Sequence, residues 1–139
     1  SGAQEIAQRS RGTPRIANNH LRWVRDYAQT RADGHISLEV SRAALLMAGV
    51  DDLGLNRLDR SYLDTLIRVF SGGPTGVEAI AHTMNVAIDT LSDEVEPFLL
   101  RSELLVRTPR GRMVTVKAFQ HLRLKPPDKP LGGQPRLFE

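Results

Sequence analysis

The sequence predicts a mainly helical protein built from two small modules, the second of which ends in a β-hairpin. Apolar residues recur at helical spacing along most of the chain before residue 101, with cap and stop signals between them. Beyond that point, two runs of β-forming residues flank Arg107-Thr108-Pro109-Arg110-Gly111-Arg112. Pro109 presets φ for a tight turn, and Gly111 relieves the backbone at its end.

The first module, residues 1–54, is predicted to contain three helices. A short helix begins at Ala3, and a longer one begins with Thr13 as N-cap and Pro14 in the first helical position. Ser37 caps the third helix, which Gly49 ends. The apolar stripe of the second helix consists of Ala17, Leu21, Val24 and Ala28. Because so small a module buries little apolar area alone, we expect it to pack against another part of a longer chain.

The second module, residues 55–125, is predicted to contain three helices, the hairpin and a short closing helix. Asp59 is the expected N-cap of the first helix, and Thr75-Gly76-Val77-Glu78 is the expected capping box of the second. Pro97 should kink or end the third, whose inward residues are Ile88, Leu91, Val95 and Leu99. Three helices followed by a hairpin is the order of a winged-helix domain. Residues 126–139, rich in Pro and Gly, are predicted to be a disordered tail.

The positive charge is concentrated near the hairpin. The formal net charge is only +3, but the segment 107–125 contains six cations and no acid: Arg107, Arg110, Arg112, Lys117, Arg123 and Lys125. A local patch of this kind favours a polyanion such as nucleic acid. A solvated surface with no ligand is the alternative.

Several classes of function are excluded by composition. The chain has no cysteine, so disulfides, thiolate zinc sites and cysteine nucleophiles are ruled out, which fits a cytoplasmic protein. Its four histidines lack metal-ligand spacing, and it has no G-x-x-x-x-G-K-[ST] phosphate loop. We therefore expect no catalytic residue, no metal site and no nucleotide hydrolysis in this chain alone. The longest apolar run, 43–50, is far shorter than the ~20 residues that span a bilayer.

The presumed recognition helix is acidic. Between Asn85 and Leu100 it has four acids and no Lys or Arg, so phosphates along the major groove would repel it. If the domain binds DNA, the hairpin must therefore do so, through backbone contacts that carry no sequence information. Three neutralised phosphates would give a log–log salt slope of roughly −3.

Arg15 lies in the first turn of a predicted helix, where a cation opposes the helix dipole. One explanation is an anion, such as a phosphate, shared by the guanidinium and the free N–H groups of the helix start. The other is a solvated arginine with no ligand.

Five motifs resemble one known family. They occur in this order: Arg11-Gly12-Thr13-Pro14-Arg15-Ile16-Ala17-Asn18, Arg25-Asp26-Tyr27-Ala28, Gly72-Gly73-Pro74-Thr75-Gly76, Glu96-Pro97-Phe98-Leu99 and Arg107-Thr108-Pro109-Arg110-Gly111-Arg112. Together, over residues 3–125, they resemble the C-terminal part of the RuvB family of bacterial Holliday-junction branch-migration motors. The resemblance implies an AAA+ ATPase that forms a homo-hexamer around duplex DNA and works with a RuvA-type junction-binding protein.

The resemblance also implies roles for particular residues. Residues 1–54 would be the helical AAA+ lid, in which Arg15 is the sensor-2 arginine that reaches the nucleotide phosphates, with Pro14 beside the nucleotide. The wing would contact DNA through Arg107, Thr108, Arg110 and Arg112. ATP and Mg²⁺ would be bound mainly by an N-terminal ATPase domain outside this sequence. Where the family usually has glycine, this chain has Ser102-Glu103 and Asn85-Val86, which puts the geometry of both turns in doubt.

The end of the tail contains a second short motif. Gln134, Leu137 and Phe138 match the Gln-x-x-Leu-Phe peptide that binds the bacterial sliding clamp. A chance match of three residues is the alternative. For the whole chain, two other functions stay open: a free-standing winged-helix transcription regulator, and a protein-interaction module whose binding face is the acidic helix.

Overall fold

A computed structural model describes residues 1–125 and confirms the predicted fold class. In chain order the elements are α1 (Gly2–Gln8), α2 (Pro14–Arg31), α3 (Leu38–Met47), α4 (Arg57–Arg68), α5 (Val77–Met84), α6 (Ile88–Thr90), a π-helical turn (Leu91–Val95), α7 (Glu96–Arg101), β1 (Leu105–Thr108), β2 (Gly111–Val114) and α8 (Val116–His121). They form two compact units, Ser1–Arg57 and a second that begins at Leu58.

The first unit is a bundle of α1, α2 and α3 around a small apolar core. The core residues are Ile6, Val24, Ala44, Leu45 and Val50, with Tyr27, Ile36 and Val40 packed against them. Pro14 begins α2 as predicted, with Thr13 in the N-cap position. The Thr13 side chain does not cap the helix, however, because its hydroxyl donates to the carbonyl of Arg11.

The predicted apolar stripe of α2 is only partly buried. Val24 and Ala28 are fully buried, whereas Leu21 is 43% exposed. Trp23 lies beside the stripe and is 38% exposed, and its indole N–H donates to the Ala44 carbonyl of α3 at 2.5 Å. Leu21 thus belongs to the stripe but lies outside the core, because three small helices cannot cover the whole face of an 18-residue helix.

Asp59 is not the N-cap of α4, contrary to the prediction. The helix begins two residues earlier, at Arg57, and Asp59 lies fully buried in its first turn. Another aspartate organises the segment before the helix. The Asp51 carboxylate accepts from the backbone N–H groups of Leu53 and Leu55, at 3.0 and 2.9 Å.

The predicted capping box at Thr75 is also wrong. Gly76 is the N-cap of α5, and no side chain caps the helix. Thr75 instead pairs with β2, since its N–H donates to the Arg112 carbonyl at 3.0 Å and its carbonyl accepts from the Arg112 N–H at 2.7 Å. Thr75 thus forms backbone hydrogen bonds with a strand distant in sequence and does not cap α5 with its side chain.

The third helix continues through Pro97 to Arg101, and its irregularity lies just before the proline. The π-helical turn at residues 91–95 closes with a bond from the Glu96 N–H to the Leu91 carbonyl. Leu91, Val95 and Leu99 are buried as predicted. Ile88 is 43% exposed, so its predicted inward position was wrong.

Two turns adopt left-handed backbone without glycine. Asn85 ends α5 with φ +57°, and Glu103 precedes the hairpin with φ +61°. Asn visits this region readily, whereas Glu does so at a cost of ~1–2 kcal/mol. Both turns therefore adopt the left-handed conformation that suits glycine, although neither has a glycine at that position.

The strands β1 and β2 form an antiparallel hairpin, which we call the wing (residues 105–114). Thr108 pairs with Gly111, and Pro109 and Arg110 form the two-residue loop between them. No helix within the range 1–125 is both long and apolar enough to cross a membrane. The predicted disordered tail, 126–139, lies outside the described residues.

Candidate functional site

The tip of the wing presents one exposed arginine. Arg110 occupies the second loop position, is exposed, and makes no ion pair with any described residue. The turn beneath it is fixed by Thr108, whose hydroxyl donates to the Gly111 carbonyl at 2.9 Å and accepts from the Arg110 N–H at 3.2 Å. Thr108 therefore shapes the tip, and Arg110 provides its charge.

The other two wing arginines lie directly opposite each other. Arg107 on β1 pairs in register with Arg112 on β2. Like charges at such a position destabilise a hairpin unless an anion lies between them. That anion is Glu96 at the start of α7, which is fully buried.

The Glu96 carboxylate binds Arg112 more closely than Arg107. Its Oε2 accepts from the Arg112 Nε at 2.9 Å, and its Oε1 accepts from the Arg112 Nη2 at 3.3 Å. The Arg107 Nη2 lies 3.6 Å from Oε1, which is an ion pair and not a hydrogen bond. The exposed fractions follow the same order, with 22% for the Arg112 side chain and 55% for Arg107.

Tyr62 completes this network from α4. Its hydroxyl is fully buried and donates to the Glu96 Oε2 at 2.5 Å. Burial, together with the hydrogen bond to the carboxylate, raises the pKa of the Tyr62 hydroxyl well above its usual range. The Tyr62 hydroxyl thus stays protonated and remains a hydrogen-bond donor. Residues of α4, β1 and β2 all contact the one buried carboxylate of Glu96, at the start of α7.

Sequence reasoning placed Glu96 on the acidic face of the third helix and missed its role. A signal was available, because a two-residue loop after Thr108 sets Arg107 opposite Arg112, and like charges in that position favour a nearby counter-charge. With Glu96 inside, the exposed acids between Asn85 and Leu100 are Asp89, Asp93 and Glu94. This surface is still acidic, so the phosphates along the major groove would still repel a helix inserted there.

The Gly-Gly-Pro-Thr-Gly segment supports the wing from the side. Besides the Thr75 pairing, the Val114 N–H donates to the Gly72 carbonyl at 3.1 Å. A Cβ on Gly111, whose φ is +134°, would lie 2.5 Å from the Thr75 carbonyl carbon. A Cβ on Gly73 would collide with the Arg112 carbonyl oxygen. These two glycines allow the 72–75 segment and β2 to approach closely, which helps to fix the direction of the wing.

A second cationic position lies at the start of α2 in the first unit. Pro14 and Arg15 are both exposed, and the first turn of the helix contains no acid. Arg15 makes no ion pair with any residue of the described part of the chain. The free N–H groups of the helix start and this guanidinium can together bind an anion.

A pocket of about 220 Å³ lies beside this helix start. It is lined by Arg11, Ile16, Asn19, His20, Val50, Gly54 and Asn56. Burial and the nearby Arg11 charge lower the pKa of His20, so the imidazole is neutral at pH 7. The Ser10 hydroxyl donates to the Ile6 carbonyl and lies 3.1 Å from the His20 Nδ1.

The remaining predicted site residues, Gln134, Leu137 and Phe138 of the tail motif, lie outside the described residues. The roles assigned to Pro14, Arg15, Arg107, Thr108, Arg110 and Arg112 concern ligands, and they stay predictions.

Two family models match consecutive parts of the chain. The RuvB AAA lid domain matches residues 1–51, and the RuvB C-terminal winged helix domain matches residues 52–123. Their order is that of the two compact units.

Curated relatives and solved structures agree with these matches. The Holliday junction branch migration complex subunit RuvB of Rhodopirellula baltica is 64% identical over 132 residues, which are 95% of this chain and 36% of that protein. The subunit of the same name from Acidothermus cellulolyticus is 54% identical over 99% of this chain and 38% of its own length.

Among solved structures, the Thermotoga maritima RuvB Holliday junction branch migration motor has a TM-score of 0.85 and 44% identity, over 89% of this chain and 42% of that one. Its P216G mutant has a TM-score of 0.86 and 43% identity, over 91% and 42%. This chain thus spans well under half the length of the relatives it matches. It belongs to the RuvB family, of which it contains the AAA lid domain and the C-terminal winged-helix domain.

Proposed function

We propose that this chain is the lid and DNA-binding part of an ATP-driven motor that moves Holliday junctions. The observation that carries the proposal is the exposed cation Arg110 at the tip of a wing held by backbone hydrogen bonds, next to a helix whose exposed charges between Asn85 and Leu100 are all acidic. A wing of this kind binds duplex backbone, and its own helix is repelled from the groove. The named relatives are subunits of a Holliday junction branch migration complex.

Within that function, the wing binds duplex phosphates without sequence specificity. Arg110 lies in the loop at the tip and is exposed, and the Arg107 side chain, at 55% exposed, is more accessible than that of Arg112, at 22%. Contacts to phosphate position a protein on DNA but do not read its sequence. This favours a motor that must move along any duplex over a transcription regulator, which would need a helix able to enter the major groove.

The lid takes part in ATP binding through the start of α2. We assign Arg15 to the nucleotide phosphates and Pro14 to the vicinity of the nucleotide. The exposed guanidinium, the free N–H groups and the absence of a first-turn acid suit a phosphate anion. The adjacent pocket, at about 220 Å³, is smaller than the roughly 300–1,000 Å³ of complete small-molecule sites. The lid would thus supply one wall of the site, and Mg²⁺ would be held by other parts of the motor.

The assembly that follows from this proposal is a homo-hexamer around duplex DNA in the cytoplasm, working with a RuvA-type junction-binding protein. The chain alone should not hydrolyse ATP, because its sequence has no phosphate loop. ATP-dependent movement of the lid would carry the wing with it, and the wing would thereby pull on the duplex.

DNA binding is tested with a mobility shift of the 139-residue chain on a duplex at low salt. We expect a shift that weakens about tenfold in Arg110→Ala and is unchanged in Arg68→Ala. Arg68 is a matched control because it is an exposed arginine of the same unit, already paired with Asp64 at 2.5 Å. Absence of any shift by the unaltered chain would favour the protein-interaction module, and strong preference for one sequence would favour the regulator.

The lid assignment is tested in the full-length parent protein. Arg15→Ala should abolish ATP turnover and spare DNA binding, whereas Arg22→Ala, an exposed arginine of the same helix, should change neither. Normal turnover in Arg15→Ala would contradict the assignment.

The tail motif makes a separate proposal, that residues 134–138 bind the bacterial sliding clamp. A peptide of residues 126–139 should bind the cognate clamp, and Leu137→Ala with Phe138→Ala should remove that binding. A peptide that does not bind would end this proposal and leave the motor untouched.

A further inference from the structure

The wing contains three arginines, but their surroundings divide them into two kinds. Arg110 is exposed and has no ion-pair partner among the described residues, whereas Arg112 is bound through two nitrogens to the buried Glu96. Arg107 lies between these extremes, because its closest approach to Glu96 is 3.6 Å and its side chain is 55% exposed.

Removing Arg112 from Glu96 would be costly. Glu96 is fully buried, and its remaining close donor would be the Tyr62 hydroxyl. A buried carboxylate that loses its cation is strongly destabilising, while an exposed phosphate contact contributes far less. A phosphate that meets the wing is therefore not expected to take Arg112 from the carboxylate.

Keeping Arg112 bound to Glu96 also reduces the repulsion between the two arginines that the hairpin register places opposite each other. Because Arg107 and Arg112 face each other across β1 and β2, they would repel each other if both were free. Glu96 lies against both guanidinium groups and ties them to α7, while Tyr62 ties the same carboxylate to α4. Glu96 thus adds a buried side-chain link to the backbone contacts that fix the direction of the wing.

We propose that Glu96 is a positioning residue that fixes Arg112 inside the winged-helix domain and leaves Arg110 as the wing cation that meets the duplex phosphates. This inference rests on the proposed DNA binding. It predicts that the wing neutralises one to two phosphates, so it contributes a log–log salt slope of roughly −1 to −2 in place of −3.

The test measures the affinity of the 139-residue chain for a labelled duplex between about 50 and 200 mM KCl. Arg110→Ala should reduce the magnitude of the slope by roughly 0.9. Glu96→Gln should increase it by about the same amount, because Arg112 can then reach a phosphate. Asp93→Asn is the matched control, since it removes one exposed acid from the same helix and should leave the slope unchanged.

Because Glu96→Gln is expected to destabilise the domain, the double variant Glu96→Gln/Arg112→Gln provides a second route. It replaces both buried charges by a neutral pair that can still form hydrogen bonds. We expect its slope to equal that of the unaltered chain. A slope reduced by roughly 0.9 would mean that Arg112 itself contacts a phosphate, and the proposal would be overturned.

NMR of the arginine Nε–H groups separates this inference from the proposed function. Without DNA, the Arg112 Nε–H should exchange slowly with water, and it should stay unshifted when duplex is added, while the Arg110 Nε–H shifts. If neither signal shifts and no binding occurs, DNA binding by the wing fails, and this inference fails with it. If Arg110 shifts but Arg112 exchanges rapidly or also shifts, DNA binding stands and the role of Glu96 is wrong.

Discussion

Within residues 1–125, each unit buries one glutamate that binds two arginines, but the partners of one glutamate lie mainly nearby in the sequence and those of the other are distant. In the first unit Glu5 accepts from Arg9 of its own helix end at 2.9 Å and from Arg42 at 3.2 Å. In the second unit Glu96 binds Arg112, which is 16 residues away on a strand, and Tyr62, which is 34 residues away. The first cluster is mostly local, and the second joins separate elements.

The two clusters differ in burial and in the position of their partners, and only the Glu96 cluster includes residues of the proposed DNA-binding surface. Glu5 joins α1 to Arg42 on α3, and Arg42 is 57% exposed, so solvent already screens half of that network. The Glu96 carboxylate is fully buried, and its partners include two arginines of the wing. The first cluster joins two helices of a small bundle, whereas the second includes two arginines of the wing, the surface that we propose to bind DNA.

The largest expected effect comes from neutralising each glutamate in turn. Glu96→Gln should lower the free energy of unfolding by about 3–5 kcal/mol, because it leaves the partly buried Arg112 without its anion. Glu5→Gln should cost less, roughly 1.5–3 kcal/mol, since its partners keep hydrogen bonds to an amide or to water. Urea denaturation of both variants measures the two losses in the free energy of unfolding. Equal losses would remove the distinction between the clusters.

A smaller loss is expected on removing the Tyr62 hydroxyl. Tyr62→Phe deletes a buried donor to an ionised carboxylate and should cost about 1.5–3 kcal/mol. Tyr27→Phe is the matched control in the first unit, where the ring is partly buried and packs against the core. Its loss should stay under about 0.5 kcal/mol. A Tyr62→Phe variant as stable as the unaltered chain would show that the hydroxyl is dispensable.

Acidification should weaken the first unit. Burial would raise the pKa of Glu5, but the hydrogen bonds and charges of Arg9 and Arg42 outweigh it and hold the pKa below 4.5. Burial and Arg11 hold the pKa of His20 below 6.5. Both shifts are downward, so the unfolded state binds more protons, and stability present at neutral pH is lost as the pH falls.

The loss should begin below about pH 6.5 through His20 and deepen below about pH 4.5 through Glu5. Urea midpoints measured from pH 7.5 to pH 4 give the curve. His20→Gln should flatten only the upper part of the curve, just below about pH 6.5. A first unit that gains stability on acidification would show that the sign is wrong.

The smallest effect is a gain from relieving backbone strain beside the wing. Glu103→Gly should raise the free energy of unfolding by about 1 kcal/mol, because φ +61° is unfavourable for Glu and the side chain is exposed. Asn85→Gly should gain less, since Asn tolerates φ +57°. Thermal melts of both variants suffice, and a loss of stability in Glu103→Gly would show that its side chain contributes a contact.

Local signals in the sequence predicted most of the elements, including Pro14 at the start of α2, Ser37 as N-cap of α3 and the wing turn at Pro109. They failed where tertiary contacts override local chemistry. Thr75 had the composition of a capping box but pairs with β2, and Asp59 resembled a cap but is buried inside the first turn of α4. Neither outcome is encoded in neighbouring residues.

In the candidate site, too, local signals predicted some features and tertiary contacts determined others. The exposure of Arg15 and Arg110 agrees with their sequence assignments, because both follow from a helix start and a turn tip. The burial of Glu96 could not be read from helical spacing alone, since it depends on a strand 16 residues away. The cross-strand pair of Arg107 and Arg112 was a signal that favours a nearby acid.

The most direct test of the account is the salt dependence of binding to two duplexes of unrelated sequence, for the unaltered chain and for Arg110→Ala. We predict equal affinities for the two duplexes, a linear fall of log K with log salt, and a slope reduced by roughly 0.9 on both duplexes in the variant. An affinity that ignores salt, or that differs strongly between the duplexes, would contradict a wing that binds DNA backbone without reading its sequence.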